Sequence, residues 1–177
     1  MTDRPVVVGL WYRLVGGCAL ALLLAAPLQA SQRPMKLLET PREAPAFVLP
    51  ATDGTQRTLA GYRGRYLLVN FWAVWCAPCR KEMPSMQATY DALKAEGLAM
   101  IAIHVGPSME MARDFATELG LEFDIVVDED MALTDWQVVG LPATFLVDPD
   151  GHLVAEAIGE RDWADPALVG QLRSLLR

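Results

Sequence analysis

Between Tyr66 and Ala95 the spacing of apolar residues changes once, and the change falls on two cysteines. Tyr66-Leu67-Leu68-Val69-Asn70-Phe71-Trp72 is an apolar run rich in strand-favouring residues, suited to a strand buried on both faces. From Arg80 to Ala95, Met83, Met86, Tyr90 and Leu93 recur at three- and four-residue intervals, the period of an amphipathic helix. Gly97 ends that helix and Leu98 to His104 reads as the next strand, so the stretch predicts a right-handed βαβ unit. Cys76-Ala77-Pro78-Cys79 sits where strand becomes helix. Free amides and the positive end of the helix dipole favour a thiolate there, which makes Cys76 the candidate nucleophile. Cys79, one turn further in and facing inward, is the candidate resolving thiol. Pro84 lacks the amide that would bond the Arg80 carbonyl and is expected to kink the helix.

A cysteine pair can staple a fold, hold a metal or exchange electrons. A bridge across two intervening residues closes so small a loop that it constrains little unfolded-chain entropy. A closed zinc site wants four ligands, and one CxxC with only His104 and His152 elsewhere gives no ligand pattern. Redox exchange remains, with no cofactor and no metal expected beyond the Cys76–Cys79 disulfide itself.

The first thirty residues read as an export segment. Arg4 and Arg13 precede the apolar run Leu14 to Ala26, and Pro27 and Ala30 follow it, the order of a signal cleaved near Ala30. Counting the apolar residues from 6 to 26 instead gives an uncleaved membrane anchor, the rival reading. Either way the rest of the chain is expected outside the cytoplasm, periplasmic or extracytoplasmic, where disulfides persist. Cys18 falls inside the apolar run and reads as a small apolar residue of the signal. Residues 31–43, with mixed charges and prolines, read as a linker, and 44–177 as one domain. A net charge of −7 without a long basic run excludes a nucleic-acid footprint.

Further along, Phe47 to Leu49 and Gln56 to Leu59 flank the Asp53-Gly54 turn as a small hairpin. Ser108 to Leu119 reads as a helix stopped at Gly120, and Ile125 to Val127 as a short strand. Thr144 to Val147 and Leu153 to Ile158 are strands joined by Asp148-Pro149-Asp150-Gly151, and Asp165-Pro166 opens a terminal helix with a cap and a proline in its first turn. The scattered methionines read as core.

FWAVWCAPCRKEMP (71–84) together with the later GLPATFLVDPDG (140–151) resembles the TlpA/ResA-type exported thiol-disulfide oxidoreductases, relatives of the cytochrome c maturation thioredoxins, from about Ala44 to the C-terminus. The resemblance implies an α/β, thioredoxin-like fold: a central mixed sheet flanked by helices, an N-terminal β-hairpin, and a central helix-strand insertion supplied by the helix after Ser108 and the strand at Ile125. It makes Leu141-Pro142 a cis bond facing the cysteines, with the Leu141 backbone pairing with an extended substrate strand. Trp75, Ala77 and Pro78 join Leu141 and Pro142 as the substrate-binding surface. Asn70 stands where ordinary thioredoxins carry a buried Asp, and an amide cannot take a proton. Glu82 matches a glutamate close to the thiols, where its charge raises their pKa and helps shuttle protons; read without the resemblance, it is an exposed helix carboxylate.

The implied activity is reduction of protein disulfides, in cytochrome c or oxidase maturation, by a monomer with a membrane tether where the N-terminus is kept and recharged by a membrane-embedded donor of the DsbD/CcdA kind. Two alternatives stay open. A copper-binding chaperone would use both cysteines and His104, and a thiol peroxidase would want a Thr where Ala73 stands.

Overall fold

The computed structural model describes Thr2 and residues 33–131 and 134–177. The chain divides into two compact units, 1–30 and 31–177, and every described residue but Thr2 belongs to the second. The expected signal or anchor, Cys18 and the cleavage point near Ala30 lie outside the described residues. Among the described residues no helix is long and apolar enough to cross a membrane.

In chain order the second unit runs β1 (Lys36–Glu43), β2 (Val48–Pro50), β3 (Gln56–Thr58), β4 (Tyr66–Trp72), α1 (Ala77–Leu93), β5 (Leu98–Val105), α2 (Met109–Leu119), β6 (Asp124–Asp128), β7 (Ala143–Val147), β8 (His152–Ile158) and α3 (Pro166–Leu175). Six strands form one sheet in the order β1-β8-β7-β4-β5-β6, and β2 pairs with β3 in the expected hairpin. β4, β5 and β6 are parallel, while β7 is antiparallel to β4, β8 to β7 and β1 to β8. The helix α2 and strand β6 are the expected insertion, and they extend the sheet beyond β5.

Period-two alternation sends the two halves of each central strand to different layers. Leu67, Val69 and Phe71 of β4 and Phe145 of β7 face Phe47, Leu49, Tyr62 and Trp136 on the hairpin side. Leu68 and Trp72 face the helical side, with Met83 and Met86 of α1, Ala112 of α2 and Leu168 of α3. Burying side chains of this size stabilises the fold by about 1.5–3 kcal/mol each. The hairpin is fixed to β6 by polar contacts: the Arg57 Nε donates to Asp124 at 2.9 Å, the Tyr62 hydroxyl donates to the same carboxylate at 2.6 Å, and the Thr52 N–H donates to the Ile125 carbonyl at 2.9 Å.

The stretch read as a linker, 31–43, is largely strand. β1 pairs with β8 from Lys36↔Glu156 to Glu43↔His152, with a bulge between Leu37 and Arg42. Its side chains are mostly exposed, so no alternation of apolar residues marks it. Pro41 fits because an edge strand with a bulge has backbone positions that need no donor. Just before it, Met35 is buried and clasped at both backbone groups by the Gln171 side chain of α3, each contact 2.8 Å. The compact unit therefore starts upstream of residue 44.

α1 starts at Ala77, earlier than the periodicity from Arg80 suggests, and stays helical through Pro84. At the other end of the chain the Asp165 side chain accepts from the Ala167 and Leu168 amides and caps α3, as expected.

Candidate active site

Cys76 and Cys79 are joined in a disulfide, their Cα atoms 5.3 Å apart. Cys76 is the N-cap of α1, and its sulfur accepts the Cys79 backbone N–H at 3.3 Å. This is the amide array that the strand-to-helix switch places there, and it favours negative charge on that sulfur. Cys79 is fully buried, whereas Cys76 keeps 6% of its surface, so an approaching sulfur meets Cys76 first. Around the pair, Trp75 is exposed at 73%, and Ala77 and Pro78 are exposed as well. The Leu141-Pro142 bond is cis. Because Phe71 pairs with Ala143, this bond lies at the same end of the sheet as the cysteine turn. Leu141 is half-buried and borders a cavity of about 430 Å³ that Phe71, Val105 and Val138 also line.

One helical turn along α1 from Cys79 lies a buried polar cluster. Glu82, one helical turn after Cys79 and on the same face of α1, is 1% exposed rather than solvated. Three donors reach its carboxylate: Asn70 Nδ2 at 2.9 Å, the Arg161 backbone N–H at 3.1 Å and Trp163 Nε1 at 3.2 Å. Burial nonetheless wins over these donors and pushes the Glu82 pKa up from 4.5 to about 7. Asn70 also donates from Nδ2 to the Thr144 hydroxyl at 2.9 Å, so its amide points toward the acid and takes no proton from it. The segment carrying Arg161 and Trp163 is held along α1. The Trp163 N–H donates to Ser85 Oγ at 3.0 Å, Ser85 Oγ donates to the Glu82 carbonyl at 2.7 Å, and Thr89 Oγ1 donates to the Trp163 carbonyl at 2.6 Å.

His104 is buried at the end of β5, and both ring nitrogens are taken up by backbone groups of Val74 and Gly106. Among the described residues no group of three or more His, Cys, Asp or Glu side chains is arranged to hold a metal ion.

The model of the AhpC/TSA family matches residues 41–156, which includes the cysteine turn, Glu82 and the cis bond. The chain belongs to the AhpC/TSA family. Within it this is a ResA-type thioredoxin-like protein. It is 37% identical over 118 residues to the thiol-disulfide oxidoreductase ResA of Bacillus subtilis, covering 66% of each chain. It is 40% identical over 111 residues to that of Geobacillus kaustophilus, covering 62% of this chain and 64% of the relative. It is 36% identical over 121 residues to that of Bacillus anthracis, covering 68% and 70%. The matched part spans just under two thirds of the length of the first two relatives. Among solved structures, a Chlorobium tepidum protein assigned as a thiol:disulfide interchange protein DsbE superposes with a TM-score of 0.72 at 29% identity, over 79% of this chain and 99% of that one. StoA from Bacillus subtilis, at 23% identity, shares the fold with a TM-score of 0.61 over 75% and 97%. The ResA-type chain thus has the thioredoxin-like architecture that its two motifs implied.

Sequence reasoning missed Arg161, Trp163 and Thr144. A tryptophan inside the polar run Gly159-Glu160-Arg161-Asp162-Trp163 was the available signal, since so large an apolar side chain in a loop must cover something. Thr144 could have been found from register, because it sits directly across from Asn70.

Proposed function

We propose that this protein is a protein thiol-disulfide oxidoreductase, acting as a reductant outside the cytoplasm. The observation that carries the reading is the asymmetry of the pair: the sulfur that accepts a helix N-terminal amide is also the one with exposed surface. In the reduced protein the Cys76 thiolate attacks one sulfur of a substrate disulfide, forming a mixed disulfide and releasing the other sulfur as a thiolate that takes up a proton. Cys79, once deprotonated, attacks Cys76 Sγ, breaks the mixed disulfide and restores the Cys76–Cys79 bond. Two electrons and two protons pass to the substrate in total.

The second step needs the Cys79 proton removed in an enclosed site. Glu82 is the acceptor, held in place by Asn70, Trp163 and the Arg161 amide, and its pKa of about 7 lets it take and return a proton near neutrality. Trp75, Ala77, Pro78 and Leu141 make the docking rim, with the Leu141 backbone pairing with the substrate strand beside Pro142 and the neighbouring cavity accepting an apolar side chain. A membrane-embedded dithiol donor of the DsbD/CcdA kind would return Cys76–Cys79 to the reduced state, and cytochrome c or oxidase maturation supplies substrates of the required kind. The protein acts as a monomer, exported by residues 1–30, which are cleaved or kept as an anchor.

The test is a Cys79→Ser variant. It is expected to accumulate mixed disulfides through Cys76, whose partners mass spectrometry identifies, and iodoacetamide is expected to alkylate Cys76 of the reduced wild type faster than Cys79. Equal alkylation rates together with an absence of trapped adducts would overturn the assignment.

A further inference from the structure

His104 has no part in the steps above, yet it reaches the cysteine turn. It stands opposite Trp72 across the β4–β5 ladder with 1% of its surface exposed. Its Nδ1 lies 3.1 Å from the Gly106 carbonyl oxygen, and its Nε2 receives the Val74 backbone N–H at 3.1 Å. A carbonyl only accepts and an amide N–H only donates. The two contacts together therefore admit one species, a neutral imidazole with its proton on Nδ1 and its lone pair on Nε2. Val74 is two residues before Cys76, in a turn whose own backbone bond runs from the Cys76 N–H to the Ala73 carbonyl at 3.0 Å.

We propose that His104 is a positioning residue for this turn: by accepting the Val74 N–H it sets the path of residues 73–76 and so the placement of Cys76 at the head of α1, and a proton added to Nε2 releases the turn.

A doubly protonated ring presents N–H at both nitrogens, so Nε2 would face the Val74 amide donor to donor, and one of them must move. The surroundings favour the neutral ring. From β4, Trp72 meets it edge-on, with centroids 5.2 Å apart and planes at 87°. From β6, Val127 is its register partner. From α2, Phe115 packs on Trp72 at 5.2 Å, and the Arg80 guanidinium of α1 lies over Phe115 at 5.4 Å, so this positive charge is separated from the imidazole by two aromatic rings. Burial lowers the basicity of His104, and the Gly106 carbonyl acts in the opposite direction more weakly. Release thus belongs to the acid side of the ordinary histidine range.

The experiment is nitrogen-15 NMR of the full chain in its disulfide form, with His104→Gln, which keeps an acceptor near the Nε2 position, and His104→Leu, which does not. At neutral pH the wild-type proton is expected on Nδ1, and on acidification the Val74 amide shift should follow the same midpoint as the His104 ring nitrogens. Val74 amide exchange should rise ~10-fold or more in His104→Leu, the cost of leaving a donor unpaired, and stay within about twofold of wild type in His104→Gln. Neither variant should retain the acid step at Val74. In the reduced protein, the pH profile of Cys76 alkylation by iodoacetamide should move in His104→Leu and return with Gln. A proton on Nε2 at neutral pH, a Val74 shift that titrates independently of the ring, or equal Val74 protection in His104→Leu would each overturn the proposal. If His104→Leu fails to fold, the wild-type titration decides alone, since shared midpoints support the proposal and separate ones sink it. Val74 exchange and ring tautomer need no exchange partner, so these readouts stand or fall independently of the oxidoreductase reading.

Discussion

The two faces of the same central strands, both apolar over most of their area, differ near the cysteine turn. Phe71 and Phe145, on β4 and β7, turn to the hairpin side, where they meet edge to face at 5.9 Å and both touch Trp136, with centroids 5.4 and 5.5 Å away. Asn70 and Thr144, each one residue earlier, turn to the helical side and join Glu82 in a hydrogen-bonded cluster. Apolar burial needs no partner geometry, so the hairpin face contributes stability without further conditions. The polar side holds an acid whose ionised form is disfavoured by its own surroundings. One face supplies stability, and the other gives up part of it to hold a buried acid one helical turn from Cys79.

The largest effect should come from the apolar face. Phe145→Ala is expected to cost about 3–5 kcal/mol in urea denaturation through lost burial and the cavity left behind, while the alkylation profile of Cys76 in the folded, reduced protein keeps its midpoint. A shifted midpoint would show that the faces are not chemically separate. Next comes Glu82→Gln. With the folded pKa raised from 4.5 to about 7, the neutral acid is fully accommodated below pH 4.5, and its contribution is lost as pH rises through 7. Raising the pKa from 4.5 to about 7 corresponds to about 3 kcal/mol. Wild-type stability should fall by roughly this amount from pH 4.5 to 8, and the Gln variant should lack that fall. It should also ionise its thiols at lower pH, since a negative neighbour is gone. A variant that keeps the wild-type slope would place the titration elsewhere.

Why the faces differ so much in legibility follows from the range of their contacts. The apolar run at Tyr66 to Trp72 and the cysteines at the period change are local signals, and the strands, α1 and the pair could be read from them. Burial of Glu82 could not. Helix periodicity places it beside Lys81 as a solvated carboxylate, and the segment that covers it arrives 79 residues later with Arg161. β1 was illegible for a related reason, because its pairing is made by backbone groups while its side chains face solvent. The cis bond and the proposed role of Glu82 came from the resemblance; the burial that gives Glu82 its raised pKa came only from the packed structure.

Two smaller effects sharpen the contrast within the helical side. Trp163→Phe keeps the ring but removes the Nε1 donor, so it should raise the Glu82 midpoint further and cost roughly 1.5–2 kcal/mol above pH 8 and less at pH 5, because the lost bond is to the charged form. Carbon-13 NMR of the carboxyl reads the midpoint, and an unmoved value would remove Trp163 from the cluster. Asp165→Ala strips the cap of α3, which packs on the same side, and should cost about 1 kcal/mol with no change in the Glu82 midpoint. A shift there would mean that the acid senses the helical layer as a whole rather than its three donors.

The placement of the tryptophans also makes the molecule its own optical instrument. Trp75 is exposed beside Cys76, and Trp163 is fully buried with its indole N–H on Glu82. Their emission should therefore separate by wavelength, red for the wet indole and blue for the dry one. Opening the disulfide changes the quencher next to Trp75, whereas ionising Glu82 places a negative charge at the pyrrole end of Trp163 and shifts its spectrum. Red light from Trp75 reports electrons, and the part of the blue light that Trp163→Phe removes reports protons, Trp72 and Trp136 being buried as well, so the order in which the two move can be followed by stopped flow without a label.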